Sequence, residues 1–335
     1  MRLTKLLERV LSAIPVALGV AVLAFMFLRF LPGDPVEIML GESNVTQQQI
    51  DVLRSQLHLD KPLLAQLGLF FQGLFRGDLG ISFVKHVPVA DLIRDTLPAT
   101  VELTIATMIV AILIALPVGI ISSVRAGSWL DRTVLSGALV GVSMPAFWFG
   151  LLLILLFSVE LKLLPTSGRI AATLVVDRVT GFMLIDTLLA KDPRAFLAAL
   201  KHLVLPALTL GVVFAAVLAR VVRASMIEIL GKEFITSARA KGASEWAVII
   251  KHALRNALIP AITVTGLQFG ELLGGNMIVE TIFAWPGVGR LVVSSIFARD
   301  YVVVQAAVML YALTYVAANL VVDALYTILN PKITL

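Results

Sequence analysis

Three polar residues in one long apolar segment are the first candidates for chemistry in this sequence. Glu271 lies near the middle of the segment, with Gln268 one turn before it and Asn276 five residues after it. An ionisable side chain inside a membrane is costly, so it needs a partner or a water-filled cavity. The pattern predicts either a wet translocation pathway lined by these residues or a carboxylate that is paired or neutral inside a helix bundle.

The residue types that carry catalysis are missing or scattered. The sequence has no cysteine, and its four histidines are widely separated. An intramembrane enzyme would need a Ser/His pair or paired aspartates inside its apolar segments, and neither occurs. The Gly-x-x-x-x-Gly-Lys-Ser/Thr loop that cradles nucleotide phosphates is also absent. We therefore predict no catalytic residue, no metal site and no cofactor bound by this chain.

The composition indicates a membrane protein. Of the 335 residues, 59% are hydrophobic and 15% are charged, whereas soluble domains carry about 25% charged residues. The net charge of +5 is explained by basic residues that flank apolar segments, the usual topological signal, and no basic stripe with interleaved aromatics suggests nucleic acid. The predicted environment is the lipid bilayer.

Six apolar segments are long enough to cross the bilayer, which takes about 20 residues. They are 10–31, 98–122, 134–160, 203–222, 256–280 and 302–327. The first is too long for the core of a cleaved signal peptide, so we expect a retained helix. The predicted fold class is all-α, a polytopic membrane protein with six transmembrane helices.

The placement of lysine and arginine predicts the orientation. Basic residues are denser in the N-terminal tail, in 123–133, in 223–255 and in the C-terminal tail, and basic segments favour the cytoplasm. Both termini are therefore expected in the cytoplasm.

Three regions follow from this topology. They are 1–31, a tail and first helix; 32–97, a long external segment; and 98–335, a core of five helices with an external loop at 161–202 and a cytoplasmic region at 223–255. Within the external segment, Thr46–Leu57, capped by Thr46, and Leu63–Phe75 read as amphipathic helices.

Spacing also suggests where helices pack. Gly266, Gly270 and Gly274 fall four apart, which predicts a smooth face for close helix approach, within this chain or against a partner. Glu102 and Glu280 lie near external ends of predicted spans, so snorkelling or helix capping is the expected role of each.

The cytoplasmic region carries a second candidate site. A helix over 232–241 is predicted to stop at Gly242, a natural left-handed cap, and Ser244 opens the next helix. Such an elbow can press into a groove on a soluble partner or serve only as internal packing. The candidate contact residues are Glu233, Phe234, Ala238, Arg239, Ala240, Lys241, Gly242 and Ala243.

These residues belong to an ordered set of motifs that runs along almost the whole chain. The set comprises Leu31–Pro35, Gly77–Gly80, Leu97–Thr100, Ser143–Trp148, Leu164–Gly168, Thr180–Asp186, Ala238–Gly242, His252–Pro260, Glu280–Gly287, Arg299–Tyr301 and Asn319–Asp323. In this order they resemble the permeases of the dipeptide/oligopeptide/nickel family of ABC importers. Thr180–Asp186 is similar to the dipeptide branch, and the rest is also similar to glutathione permeases.

The resemblance implies a heteromeric importer in the bacterial inner membrane. A second, homologous permease, two cytoplasmic ATPases that bind ATP and Mg, and an external solute-binding protein would complete it. The helix around Ala238–Gly242 would sit in an ATPase groove, and Glu271 would meet the amino terminus of a peptide. Thr236-Ser237-Ala238 departs from the usual Glu-Ala-Ala of importer coupling helices, and the interval from Gly242 to Pro260 is longer than usual.

Two alternatives stay open at this point. Nickel chelates or opine-like solutes could replace short peptides as the cargo of the same kind of permease. A proton-coupled secondary transporter could use Glu271 and Asp323 as relay groups, but it would predict inverted repeats with broken helices, and the six spans do not pair in that way.

Overall fold

The computed structural model describes residues 2–29, 36, 46–56 and 59–329, with backbone alone for 2–10, 27–29, 49, 53, 56, 142 and 322–329. Helices dominate this part of the chain, and its only β pairing is a single antiparallel bridge between Ile81 and Pro88. The helices are α1 (Arg2–Arg29), α2 (Gln47–Gln56), α3 (Leu63–Phe75), α4 (Val89–Val124), α5 (Trp129–Ser143), α6 (Ala146–Glu160), α7 (Met183–Leu189), α8 (Pro193–Leu230), α9 (Glu233–Ala240), α10 (Glu245–Leu273), α11 (Met277–Ile282), α12 (Val288–Phe297) and α13 (Tyr301–Leu329). The predicted all-α fold class is confirmed.

Helices occupy all six predicted spans. Among the described residues, α4, α8, α10 and α13 are each long and apolar enough to cross a bilayer. The bent pair α5–α6 is a fifth candidate if its two helices together form one broken span. The first predicted span coincides with α1, which is 28 residues long; the motif at 31–35 lies outside the described residues. Both predicted external amphipathic helices are present, as α2 and α3.

The bounds of several spans differ from the prediction. Helix α4 begins at Val89, and α8 extends from Pro193 to Leu230, because Asp192 caps α8 through the amides of Arg194 and Ala195 and Pro193 fits the first turn. These helices therefore project beyond the apolar cores by which they were recognised.

The third span is broken, and the prediction of one continuous helix over 134–160 was wrong. Helices α5 and α6 meet at 101°. Pro145 has no N–H to donate and disfavours helical geometry in the residue before it, and Met144 is accordingly extended, with ψ 125°.

The core forms where α4 and α8 lie against each other along much of their length. Two glycines permit this approach: a Cβ on Gly119 would lie 2.8 Å from Val222, and a Cβ on Gly211 would lie 2.5 Å from Val110. Alanine, leucine and valine side chains of α4, α8 and α10 fill the interior around this pair. The α4–α8 pair is the frame on which the candidate sites are built.

Candidate functional site

The elbow that the sequence analysis predicts in the cytoplasm is the short helix α9 with the turn that joins it to α10. Gly242 has φ +80°, in the left-handed region that glycine adopts without strain. Its amide donates to the Arg239 carbonyl at 2.9 Å, and the Ala243 amide donates to the Ala238 carbonyl at 3.2 Å. This pair of hydrogen bonds is the Schellman motif. The predicted glycine cap is confirmed.

A side-chain cap and an ion pair hold the start of α10 in place. The Ser244 hydroxyl accepts from the Ala247 amide at 3.4 Å, as the sequence predicts. Arg239 donates through Nε and Nη2 to both carboxylate oxygens of Glu245, at 2.8 and 3.3 Å. Hydrogen bonding to Glu245 raises the pKa of Arg239 above its usual value. These contacts hold α9 and the start of α10 together.

The elbow presents two different faces. Ile235 is 0% exposed and packs in the core cluster that includes Val222, Met226 and Val248. The exposed residues of the predicted set are Glu233, Phe234, Arg239, Ala240, Lys241 and Gly242. The elbow therefore offers an outward surface while its other face is anchored to α8 and α10.

Two of the eight predicted contact residues belong to the inward face. Ala238 and Ala243 are half-buried and pack against the chain's own core, so they serve internal packing. Trp246, at the start of α10, is 74% exposed, and Phe234 is 44% exposed. The sequence analysis did not include Trp246 among the contact residues. An aromatic residue directly after the helix start at Ser244 and Glu245 was the signal that could have identified it.

The three candidate pathway residues lie at the C-terminal end of α10 or just beyond it. Because α10 ends at Leu273, Glu271 is in its last turn, and its predicted position in the middle of a span was wrong. Asn276 falls beyond the helix, where its Oδ1 accepts from the Val279 amide at 3.0 Å and caps α11.

Glu271 and Asn276 share a cavity of about 260 Å³, which Phe214 and Tyr311 also line. Gln268 is absent from this lining; it is 7% exposed, and its Oε1 has no hydrogen-bond partner in the described structure. Two of the three predicted pathway residues therefore meet at one site.

Two of the three spaced glycines form a close seam with α13. A Cβ on Gly270 would lie 2.9 Å from the Cβ of Ala318, and one on Gly274 would lie 1.5 Å from the ring of Tyr311. Gly266 instead lines an apolar cavity of about 490 Å³ between α4, α8, α10 and α13. The seam at Gly270 and Gly274 is thus internal to the chain.

The buried carboxylate of Glu280 fastens α11 and α12 to the N-terminal part of α4. Its Oε1 accepts from Thr100 Oγ1 at 3.0 Å, and its Oε2 accepts from the Arg290 amide at 3.0 Å. The indole of Trp285 adds a bond to the Ala99 carbonyl at 2.8 Å. Burial raises the pKa of Glu280 to about 7, although hydrogen bonds from Arg290, Thr100 and Gly289 oppose the change. Because Glu280 is fully buried, the predicted snorkelling was wrong. The predicted capping role is confirmed, since the carboxylate accepts from the Arg290 amide in the first turn of α12.

A second buried carboxylate on α4 holds the loop between α6 and α7, which the sequence analysis predicts to be external. Arg169 Nη2 lies 2.5 Å from Glu102 Oε2 and also donates to the Gly181 carbonyl at 3.1 Å. The Leu184 amide donates to Glu102 Oε1 at 2.8 Å, and the Arg169 guanidinium lies 5.5 Å from the Trp285 ring centre. The predicted snorkelling of Glu102 was wrong, since the buried carboxylate is paired with Arg169. The predicted capping is confirmed, because the Leu184 amide lies in the first turn of α7.

The same loop is closed around Asp186. This carboxylate accepts from the amide and the hydroxyl of Thr180, at 2.7 and 2.6 Å, and from the Gly181 amide at 3.0 Å. Burial acts to raise the pKa of Asp186, but these hydrogen bonds outweigh it and the net pKa lies below its usual value. The Thr180–Asp186 motif is thus a structural closure of the loop.

A third polar cluster lies at the opposite end of α4. Arg223 Nε and Nη2 donate to the two carboxylate oxygens of Asp131 at 2.6 and 2.7 Å. The Ser122 hydroxyl and the Gly127 amide also donate to Asp131. These contacts join α4, α5 and α8 about two turns before the end of α8. The sequence analysis missed this cluster.

Two protein-family models match this chain. A family model described as "Binding-protein-dependent transport system inner membrane component" matches residues 115–335, and a model for the N-terminal part of such membrane components matches residues 2–104. Together the two matches cover most of the chain.

Three relatives match over nearly their whole length. The chain is 44% identical over 331 residues to the dipeptide transport system permease protein DppB of Escherichia coli (strain K12), covering 98% of each chain. It is 45% identical over 320 residues to the di/tripeptide transport system permease protein DppB of Pseudomonas aeruginosa (strain UCBPP-PA14), covering 96% of this chain and 95% of that protein. It is 42% identical over 331 residues to the glutathione transport system permease protein GsiC of Escherichia coli (strain K12), covering 99% of each.

Proposed function

Because this chain belongs to the family of binding-protein-dependent transport system inner membrane components, we propose that it is the permease subunit of an ABC importer that carries short peptides inward. The observation that carries the cargo assignment is the identity of 44% and 45%, over nearly the full length, to two permeases named for dipeptides and di/tripeptides. ATP hydrolysis takes place on partner subunits, since the sequence has no phosphate-binding loop.

In this proposal, the elbow is the site through which conformational changes in an ATPase subunit are transmitted to this chain. Phe234 and Trp246 expose aromatic surface on the outward face, and aromatic side chains are enriched where proteins bind each other. Ile235 anchors the opposite face to the core of α8 and α10. A partner that pushes the elbow therefore moves two membrane helices together.

The family and the charge pattern support our proposals for the partner subunits and for the orientation in the membrane. A second, homologous permease, two ATPases with bound ATP and Mg, and an external binding protein complete the importer. The exposed carboxylate of Glu271 on a membrane helix supports a protein or water neighbour at this surface, because lipid would not solvate it. The basic tails and loops support termini on the cytoplasmic side.

Reconstitution of the chain with its permease, ATPase and binding-protein partners tests this function. We expect dipeptide uptake to require ATP, and hydrolysis to rise when the loaded binding protein is added. Competition of labelled dipeptide uptake by glutathione or a nickel chelate would rank the cargo. Uptake by this chain alone, driven by a pH gradient, would overturn the proposal.

Neighbouring residues of the elbow provide a matched pair of variants. F234D places a charge on an exposed position, so the fold should tolerate it while an apolar groove on the ATPase should reject it. I235A removes a buried side chain, which costs about 2–5 kcal/mol of stability. We expect F234D to lose the ATPase or its stimulation at an unchanged melting temperature, and I235A to lower the melting temperature. Full stimulated hydrolysis in the F234D complex would contradict the coupling role.

A further inference from the structure

The cavity at the C-terminal end of α10 contains a carboxylate, Glu271, that none of its lining side chains neutralises. Glu271 has no ion pair or hydrogen bond within the described structure. The other lining residues are Phe214, Leu272, Gly274, Gly275, Asn276, Met277 and Tyr311. None of them is basic, so no side chain of this lining neutralises the carboxylate.

The backbone adds negative potential at the same place. Helix α10 ends at Leu273, and the C-terminal end of a helix carries a partial negative charge because its last carbonyls lack intrahelical partners. Glu271 lies in that last turn, so its charge and the helix end act in the same direction. Phe214 and Tyr311 also line the cavity, and aromatic rings attract cations. The cavity is therefore suited to a positively charged group.

The size of the cavity restricts what enters it. Pockets that enclose a whole small ligand have volumes of about 300–1,000 Å³, and this cavity measures about 260 Å³. The cavity lies just below this range and is large enough for the amino end of a peptide. The larger cavity of about 490 Å³ offers only apolar side chains, glycine and two threonines, which suit no ionic group.

We infer that this cavity is a subsite for the α-ammonium group of the transported peptide, with the Glu271 carboxylate as its counter-ion. The inference rests on the proposed peptide cargo and adds to it a contact within the permease itself. Asn276 is not free to serve as a second ligand, since its side chain caps α11. Its role is to fix the turn that forms the cavity wall.

The absence of cysteine from the sequence allows a direct chemical test. Met277 lines the cavity and is exposed, so M277C places a single thiol there in the assembled transporter. We would compare its rates of modification by aminoethyl methanethiosulfonate, a cation, and by sulfonatoethyl methanethiosulfonate, an anion. We expect E271Q to reduce the cation-to-anion rate ratio by about tenfold. An unchanged ratio would overturn the subsite.

Transport provides the second readout, with a matched control. Glu160 is an exposed carboxylate near the end of α6 and does not line the cavity. We expect E271Q to lower dipeptide uptake several-fold per ATP hydrolysed at saturating binding protein, E271D to restore part of it, and E160Q to leave it unchanged. Equal uptake by E271Q and the parent protein would overturn the subsite alone. Failure of the parent complex to take up any peptide would instead overturn the proposed function.

Discussion

Thr100 Oγ1 lies 3.0 Å from Glu280 Oε1 although the two residues are 180 positions apart in the chain. The same hydroxyl accepts from the Val288 amide at 2.8 Å, so one threonine of α4 binds both sides of the turn between α11 and α12. A Cβ on Gly287 would lie 2.5 Å from the Glu280 carboxylate, which shows how closely the backbone encloses it. The N-terminal part of α4 and this turn therefore form one unit.

The burial of Glu280 predicts a pH dependence of stability. Its pKa rises from 4.5 to about 7 on folding, so between these values the folded protein binds more protons than the unfolded chain. The free energy of unfolding then falls as the pH rises through this window. We expect the melting temperature of the parent protein, relative to E280Q, to be higher at pH 5 than at pH 8.

Asp186 is the control for this experiment. Its pKa is lowered on folding, so its contribution is complete above its usual pKa of 3.8 and disappears only at more acidic pH. The difference between the parent protein and D186N should stay constant from pH 5 to pH 8. A constant difference for E280Q as well would contradict the raised pKa of Glu280.

The Glu102–Arg169 pair should contribute far more to stability than an exposed pair of the same chemistry. R169A leaves a buried carboxylate without its cation, and breaking a buried pair costs about 3–5 kcal/mol. Arg178 and Asp95 are also 2.5 Å apart, but both side chains are about half exposed, and exposed pairs contribute about 0–1 kcal/mol. Thermal unfolding of R169A and R178A should separate the two; equal losses would contradict the assignment.

Local features of the sequence predicted local features of the fold. The caps at Gly242 and Ser244 could be predicted because glycine and serine are favoured at those positions. Long apolar runs identify a span by composition alone. The break at Pro145 carried a signal too, since proline interrupts helices. The end of α10 at Leu273 carried a signal as well, because Gly274, Gly275 and Asn276 are turn residues. The sequence analysis instead placed them inside a span.

The polar sites that hold the helices together could not be predicted in the same way. Glu102 and Glu280 looked like end-of-span residues because their partners, Arg169 and Thr100, are distant in sequence. Only the packing of α4 against the external loop and the α11–α12 turn brings these groups together. Spacing rules describe one element at a time, so they predict faces and caps but not which faces meet.

The seam between α10 and α13 predicts a size-dependent defect with a specific rescue. G274A directs a methyl group into the ring of Tyr311, which lies 1.5 Å from that position. We expect a loss near the upper end of the about 1–3 kcal/mol typical of overpacking, measured by thermal unfolding. Y311A should restore part of the stability of G274A, because the two changes act on one contact. G266A should be tolerated, since Gly266 lines a cavity.

The Asp131–Arg223 ion pair should couple the elbow to the helices beside it. Arg223 lies on α8, which continues to Leu230 next to the elbow, and Asp131 lies in the first turn of α5. The carboxylate also holds Ser122 on α4 and the Gly127 amide. A displacement of α8 at the elbow is thereby passed to α4 and α5 through one buried carboxylate. Loss of the pair should thus impair transport more than it impairs ATP hydrolysis.

R223K is the informative variant, because lysine keeps the charge but cannot form the two parallel hydrogen bonds of a guanidinium. We expect R223K to assemble with its partners and to hydrolyse ATP, yet to move several-fold less peptide per ATP than the parent complex. Lys232 and Glu228 form an exposed ion pair at the end of α8. K232A should leave the amount of peptide moved per ATP unchanged. If R223K lost hydrolysis and uptake in equal proportion, the ion pair would be purely structural. A parallel loss in K232A would show that any charge near the elbow has the same effect.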